Sequence, residues 1–168
     1  MSEAELARFI DRHTIQYVRT YPHPIERVWR AITEPAEISE WFWTATFDLR
    51  LGGAFSFGPA DGGIKGVIAA LDPPRLIRFT DPPAGPQGYF EFALAPVAGG
   101  TRMTFIQHGT PGFVADGWPW PGLLSGWHFA LDHLGALLDG RPPPSADEGA
   151  LQERYRQHAL ASQPRGTS

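Results

Sequence analysis

The order of segments between His13 and Gly140 constrains this chain more than any single motif does. One alternating stretch leads into a Trp-bearing helical pair. A run of short stretches punctuated by Gly and Pro follows, and a long helical stripe opening on Gly126-Trp127 closes the series. Strands joined by such short loops pair antiparallel with their sequence neighbours and form a meander. A closed barrel of these strands leaves no room for the long helix, so the helix must lie across the open face of a curved sheet. The expected fold class is α+β, with aromatic and apolar side chains between helix and sheet.

Local chemistry supports each segment. Ser2 and Glu5 have the form of a capping box, with Leu6, Phe9 and Ile10 at helical spacing, so a short helix is expected in the extension 1–12. Thr14 to Tyr21 sets Ile15, Tyr17 and Arg19 against Gln16, Val18 and Thr20, a strand pattern. Pro24 suits the first turn of a helix carrying Ile25, Val28, Trp29 and Ile32, and Pro35 starts a second short helix ending at Trp41-Phe42-Trp43. Strands are then expected at Thr46–Leu51, Ala54–Gly58, Ile64–Leu71, Arg75–Thr80, Tyr89–Val97 and Thr101–His108. Gly52-Gly53, Asp61-Gly62-Gly63, Asp72-Pro73-Pro74 and Ala98-Gly99-Gly100 supply turns. A Gly/Pro-rich loop from Gly109 to Pro121 holds Trp118 and Trp120. Trp127, Leu131, Leu134 and Leu138 recur at core-facing helical spacing, and Gly140 stands where a cap glycine belongs. Beyond Pro142-Pro143-Pro144, the tail 141–168 has an amphipathic stretch, Asp147 to Leu160, with Leu151, Tyr155 and Ala159 on one face. The last residues read as disordered.

Composition removes several function classes. The chain has 168 residues, enough for one domain with a sizeable core. Its net charge is −4, and its basic residues, all Arg except Lys65, are dispersed. A clustered positive face for phosphate contacts is missing, so no nucleic-acid partner is expected. There are no cysteines, which excludes disulfides, thiolate metal sites and a Cys nucleophile. The acidic start Met1–Leu6 lacks a signal-peptide core, and no stretch reaches the length of a membrane span. A cytoplasmic protein without membrane contact is expected. His128 and His133 stand five apart, off a common helical face, so no metal pair is expected. His128 and Asp132, at i and i+4, read as a surface hydrogen-bonded pair. No Gly-x-Ser-x-Gly, His-Glu-x-x-His or phosphate-binding Gly loop occurs, and no cofactor is expected.

The chain resembles the helix-grip proteins of the START/birch-pollen-allergen superfamily, also called SRPBCC or polyketide cyclase-like. Within it, the chain is most similar to the branch named for the homologous domain of the heat-shock-protein-90 ATPase activator. The resemblance is carried by Pro24-Ile25-Glu26-Arg27-Val28-Trp29, Glu40-Trp41-Phe42, Leu51-Gly52-Gly53-Ala54-Phe55, Gly66-Val67 and Pro73-Pro74-Arg75. It continues through Thr101-Arg102-Met103-Thr104-Phe105 and Gly126-Trp127 with Leu131, Leu134, Leu138 and Gly140. It implies a helix-grip domain over 13–140, in which the curved antiparallel sheet wraps around the long C-terminal helix. Two positions depart from the family pattern: Asp81 stands where the family usually has Trp, and Gln107 where it often has His.

These implications define the candidate site. Asp81 and Gln107 would form the polar pole of an apolar cavity, or else each ends its strand in solvent. Phe55, Phe57 and Trp127 would wall the cavity, together with Phe79, Phe90, Phe92, Phe105 and Leu131, or would pack as core. Trp41 is divided between core and cavity. Trp118 and Trp120 would form a lid or pack on the sheet rim. The leading reading is a protein binding a small hydrophobic or aromatic ligand. A second is a cyclase-, dehydratase- or hydrolase-like enzyme using the same cavity, with Asp81, its pKa raised by burial, as the candidate acid or base. A third is a co-chaperone-like interaction module, although the N-terminal domain with which eukaryotic activators engage their chaperone has no counterpart here. Either a monomer or a homodimer is compatible with the chain.

Overall fold

The computed structural model describes residues 5–11, 13–80, 88–109, 114–115, 118–119, 121–145 and 147–162, with the backbone only at 114–115 and 118–119. The strands are β1 (Arg8–Asp11), β2 (Thr14–Tyr21), β3 (Ala45–Phe47), β4 (Ala54–Phe57), β5 (Ile64–Asp72), β6 (Leu76–Thr80), β7 (Tyr89–Val97) and β8 (Gly100–His108). They form one curved antiparallel sheet in the order β1-β2-β8-β7-β6-β5-β4-β3. The meander therefore runs unbroken from β3 to β8, and β2 closes onto its far side. Helices α1 (Ile25–Thr33) and α2 (Pro35–Trp41) follow β2. A short hairpin of β9 (Val114–Ala115) and β10 (Trp118–Pro119) precedes the long helix α3 (Pro121–Leu138), and α4 (Glu148–Ser162) packs on α3. This is the α+β helix-grip architecture.

Alternation along each strand builds the core. Ile68, Phe79, Phe90, Gln107 and Ile15 lie in one cross-sheet row, and Ile77, Phe92, Phe105 and Tyr17 in the next. All nine side chains are buried. Trp127, Leu131, Leu134 and Leu138 of α3 cover these rows as the helical spacing predicts. The phenols of Tyr17 and Tyr21 donate to the α3 carbonyls of Leu124 (2.6 Å) and Leu131 (3.1 Å), pinning the helix to β2.

Four local expectations are corrected. The helix expected around Leu6 to Ile10 is instead strand β1, in register Arg8↔Gln16 and Phe9↔Ile15. A short isolated helix is marginal, whereas this segment gains a ladder along the β2 edge. It also packs against α4, where His158 Nε2 lies 2.8 Å from the Ala7 carbonyl oxygen. The strand expected over Thr46–Leu51 stops at Phe47, and residues 48–53 form a wider turn. A Cβ on Gly53 would lie 2.0 Å from the Asp48 carbonyl oxygen, so only glycine fits this close approach. Helix α3 opens at Pro121, five residues before Gly126. The missing N–H of Pro121 costs little in a first helical turn.

The fourth correction concerns His128, which is buried and not on the surface. The amphipathic tail helix does form as α4 and seats Leu151, Tyr155 and Ala159 on this flank of α3. The Tyr155 phenol lies 2.7 Å from His128 Nδ1 and accepts the Ala7 N–H at 3.3 Å. His128 Nε2 faces Asp132 at 3.4 Å, and Asp132 also approaches Arg19 at 3.7 Å. Burial pushes the Tyr155 phenol up to about 12 and raises that of Tyr17 well above its usual value.

Candidate functional site

The sequence Trp41-Phe42-Trp43 ends α2 and places three large rings where the chain turns into β3. Trp41 is buried, and its indole N–H donates to the Ala31 carbonyl at 2.9 Å, tying the ring to α1. Phe42 caps α2 in a non-helical conformation, which swings its ring onto α3. There it stacks on Trp127, with centroids 4.8 Å apart and planes 16° apart. Trp43 stacks on Phe42 at 5.2 Å and 21°, and is 47% exposed. On the sheet side, Phe105 lies 4.2 Å from Trp127. The Trp127 N–H donates to Gln107 Oε1, fixing the indole against β8.

Beside this ladder is a cavity of about 400 Å³. Its aromatic wall is Trp41, Phe42, Trp43 and Trp127, with Ile64 at the start of β5. Its other wall is one flank of α3: Gly122, Leu123, Gly126, Phe129, Ala130 and His133. Gln107 reaches it from β8. The two α3 glycines of this wall stand four apart, so they lie one above the other on the same flank. A Cβ at Gly126 would meet no atom within 4 Å, so the missing side chain leaves space at the cavity's rim.

The candidate residues from sequence separate into groups. Trp41, Gln107 and Trp127 come together at the cavity. Phe55, Phe57, Phe79, Phe90, Phe92 and Phe105 form a continuous buried cluster, with neighbouring rings such as Phe55–Phe79 and Phe79–Phe90 at 5.0 Å. This cluster supports the cavity from behind through the contacts of Phe57 with Phe42 and of Phe90 and Phe105 with Trp127. Leu131 is fully buried in the core. The side chain of Trp118 in β10 is not described, and Asp81 and Trp120 lie outside the described residues.

Sequence reasoning did not single out Phe42, Trp43, Ile64, Leu123, Phe129, Ala130 and His133 as site residues. The available signal was a second helical series, Gly122, Gly126, Phe129 and His133, offset from the core stripe. Among the described residues, His133 is the one ionisable side chain in the cavity wall. No group of three or more His, Cys, Asp or Glu among them is placed to hold a metal ion. No helix among them is long and apolar enough to cross a membrane.

Several solved structures are similar. CalU16 from Micromonospora echinospora is 24% identical, with 93% of each chain covered and a TM-score of 0.68. EF2215 from Enterococcus faecalis, a conserved protein of unknown function, is 16% identical over 94% of this chain and 91% of that one, with a TM-score of 0.75. CV1439 from Chromobacterium violaceum is 30% identical over 77% of this chain and 99% of that one, with a TM-score of 0.60. No functionally curated protein matches the chain. Residues 22–139 match the family described as Activator of Hsp90 ATPase homolog 1-like protein, and the chain belongs to that family.

Proposed function

We propose that this protein binds a small hydrophobic or aromatic ligand in the cavity between the Trp41-Phe42-Trp43 corner and the glycine-bearing flank of α3. The family and the fold fit a ligand-binding domain. The observation that carries the reading is the wall itself: the rings of Trp41, Phe42 and Trp43 face a flank of α3 that bears Trp127 and Phe129 and has no side chains at Gly122 and Gly126. A volume of about 400 Å³ lies within the range of small-molecule sites, which combine apolar walls with few polar groups. Gln107 and His133 are those groups here. The contact of Gln107 with Trp127 holds the indole in place, so the wall is formed before any ligand arrives. Such preorganisation lowers the cost of binding.

The test is native mass spectrometry with naphthalene-based probes on the wild type and on Gly126→Leu. The substituted side chain enters space that a Cβ does not contest, and leucine is the better helix former by about 0.8 kcal/mol. The expected result is one probe per wild-type chain, loss of that adduct in Gly126→Leu, and a melting temperature that is not lowered. Equal binding by both proteins would overturn the reading.

A further inference from the structure

We infer that the cavity selects flat apolar molecules bearing a carboxylate, and that His133 is the residue that takes the carboxylate oxygen. The inference rests on the binding reading above and deepens it to a ligand class.

Charge in the wall is the first argument. The described wall has no Asp, Glu, Lys or Arg. A cation would be desolvated there without a carboxylate to meet it, whereas an anion has His133 as its one partner. His133 lies on α3, half-buried, three residues beyond Ala130 and seven beyond Gly126. Its imidazole can donate an N–H and, when protonated, supply the charge that makes a hydrogen bond to a carboxylate short and strong. Two other donors at the wall already serve the protein: the Trp41 N–H holds the Ala31 carbonyl, and the Trp127 N–H holds the Gln107 oxygen.

The orientation of the rings is the second argument. Aromatic cages hold cations over exposed ring faces. Here the faces are turned towards one another: Phe42 lies nearly parallel to both Trp127 and Trp43, and Phe105 lies against Trp127. Phe42 thus stacks on two other rings, and its edge carries the positive part of the aromatic quadrupole, which favours an electron-rich group over a cation. Wall charge and ring orientation, read from different atoms, thus select the same ligand class.

The experiment uses three probes sharing one ring system: naphthalene-2-carboxylate, naphthalene-2-carboxamide and (2-naphthyl)trimethylammonium. Each is titrated at about pH 5.5, where an ordinary imidazole is charged and an ordinary carboxylate is still ionised, against the full chain, with tryptophan fluorescence as the readout. The expected order is carboxylate over carboxamide by about tenfold or more, as a charge-assisted bond exceeds a neutral one, with the cation weakest. In His133→Gln, which keeps a donor but cannot carry charge, the carboxylate preference should fall to within about twofold. Equal affinity of wild type for carboxylate and carboxamide, or preference for the cation, would overturn the inference while leaving the cavity a binding site. A preference unchanged in His133→Gln would remove His133 from the role. Failure of all three probes to bind would overturn both readings. Should His133→Gln not fold, the wild-type series alone decides the ligand class.

Discussion

The two flanks of α3 face different fates. On one, α4 lays Leu151, Tyr155 and Ala159 against the helix, and the polar groups beneath are tied to one another through Tyr155, His128 and Asp132. The cleft remaining there, about 300 Å³, is rimmed by charged groups including Asp132, Asp147 and Arg154. The other flank meets the end of α2 and its Phe42 cap, with a cavity between them. Glycines replace side chains at 122 and 126, and the facing wall is a stack of aromatic rings. One helix thus carries a flank completed by the protein's own tail and a flank with apolar space beside it. The comparison teaches that aromatic content alone does not mark a cavity wall; what covers each ring does. The six-phenylalanine cluster is the most aromatic part of the molecule, yet its rings face one another.

The sharpest way to break the comparison is Tyr155→Ala. It removes a fully buried ring and strips Ala7 and His128 of a partner. A loss of about 3–5 kcal/mol in urea denaturation is expected, by the measure of large-to-Ala core changes. A loss below about 1 kcal/mol would mean that the tail helix does not complete the core.

Alkaline pH probes the same flank without mutation. Burial raises Tyr17 and Tyr21, and pushes Tyr155 up to about 12. A phenol whose folded value exceeds its unfolded value of about 10 contributes stability that is complete below about pH 10 and is lost as pH rises through the folded value. Stability monitored by circular dichroism should therefore hold below about pH 10 and fall above it. Tyrosines ionising near 10 without unfolding would contradict their burial.

The smallest effect is expected on the open flank. Gln107→Leu removes the acceptor of the Trp127 N–H and should cost about 1 kcal/mol, since water at the cavity can replace the bond. Near-ultraviolet dichroism of tryptophan should weaken and probe affinity should drop. An unaltered spectrum and affinity would show that Gln107 does not position the indole.

Much of the fold was legible in the sequence because alternation and turn chemistry act locally. Ile77 and Phe79, Phe90 and Phe92, and Met103 and Phe105 all face the core as the period-two pattern requires. The β1 segment was not, because its helical spacing is a local preference overruled by the adjoining strand at Ile15 and by His158, distant in sequence. The site was legible in part. Trp41, Gln107 and Trp127 could be named from pattern, but alternation says only that a side chain points inwards. Whether it meets a neighbour or an opening depends on how α2 and α3 are set against the sheet, and that decides Phe79 one way and Trp127 another. Phe129 and His133 were not assigned to the site because they lie off the core stripe and acquire meaning only once Trp43 and Ile64 are seen opposite them.

The most direct test is chemical-shift mapping on ¹⁵N-labelled protein titrated with naphthalene-2-carboxylate. The largest changes should fall on Trp43, Gly122, Gly126, Phe129, His133 and the indole N–H of Trp127, with α4 little affected. Changes centred on Asp132, Asp147 and Arg154, or spread over the protein without focus, would contradict the assignment of the open flank of α3 as the binding site.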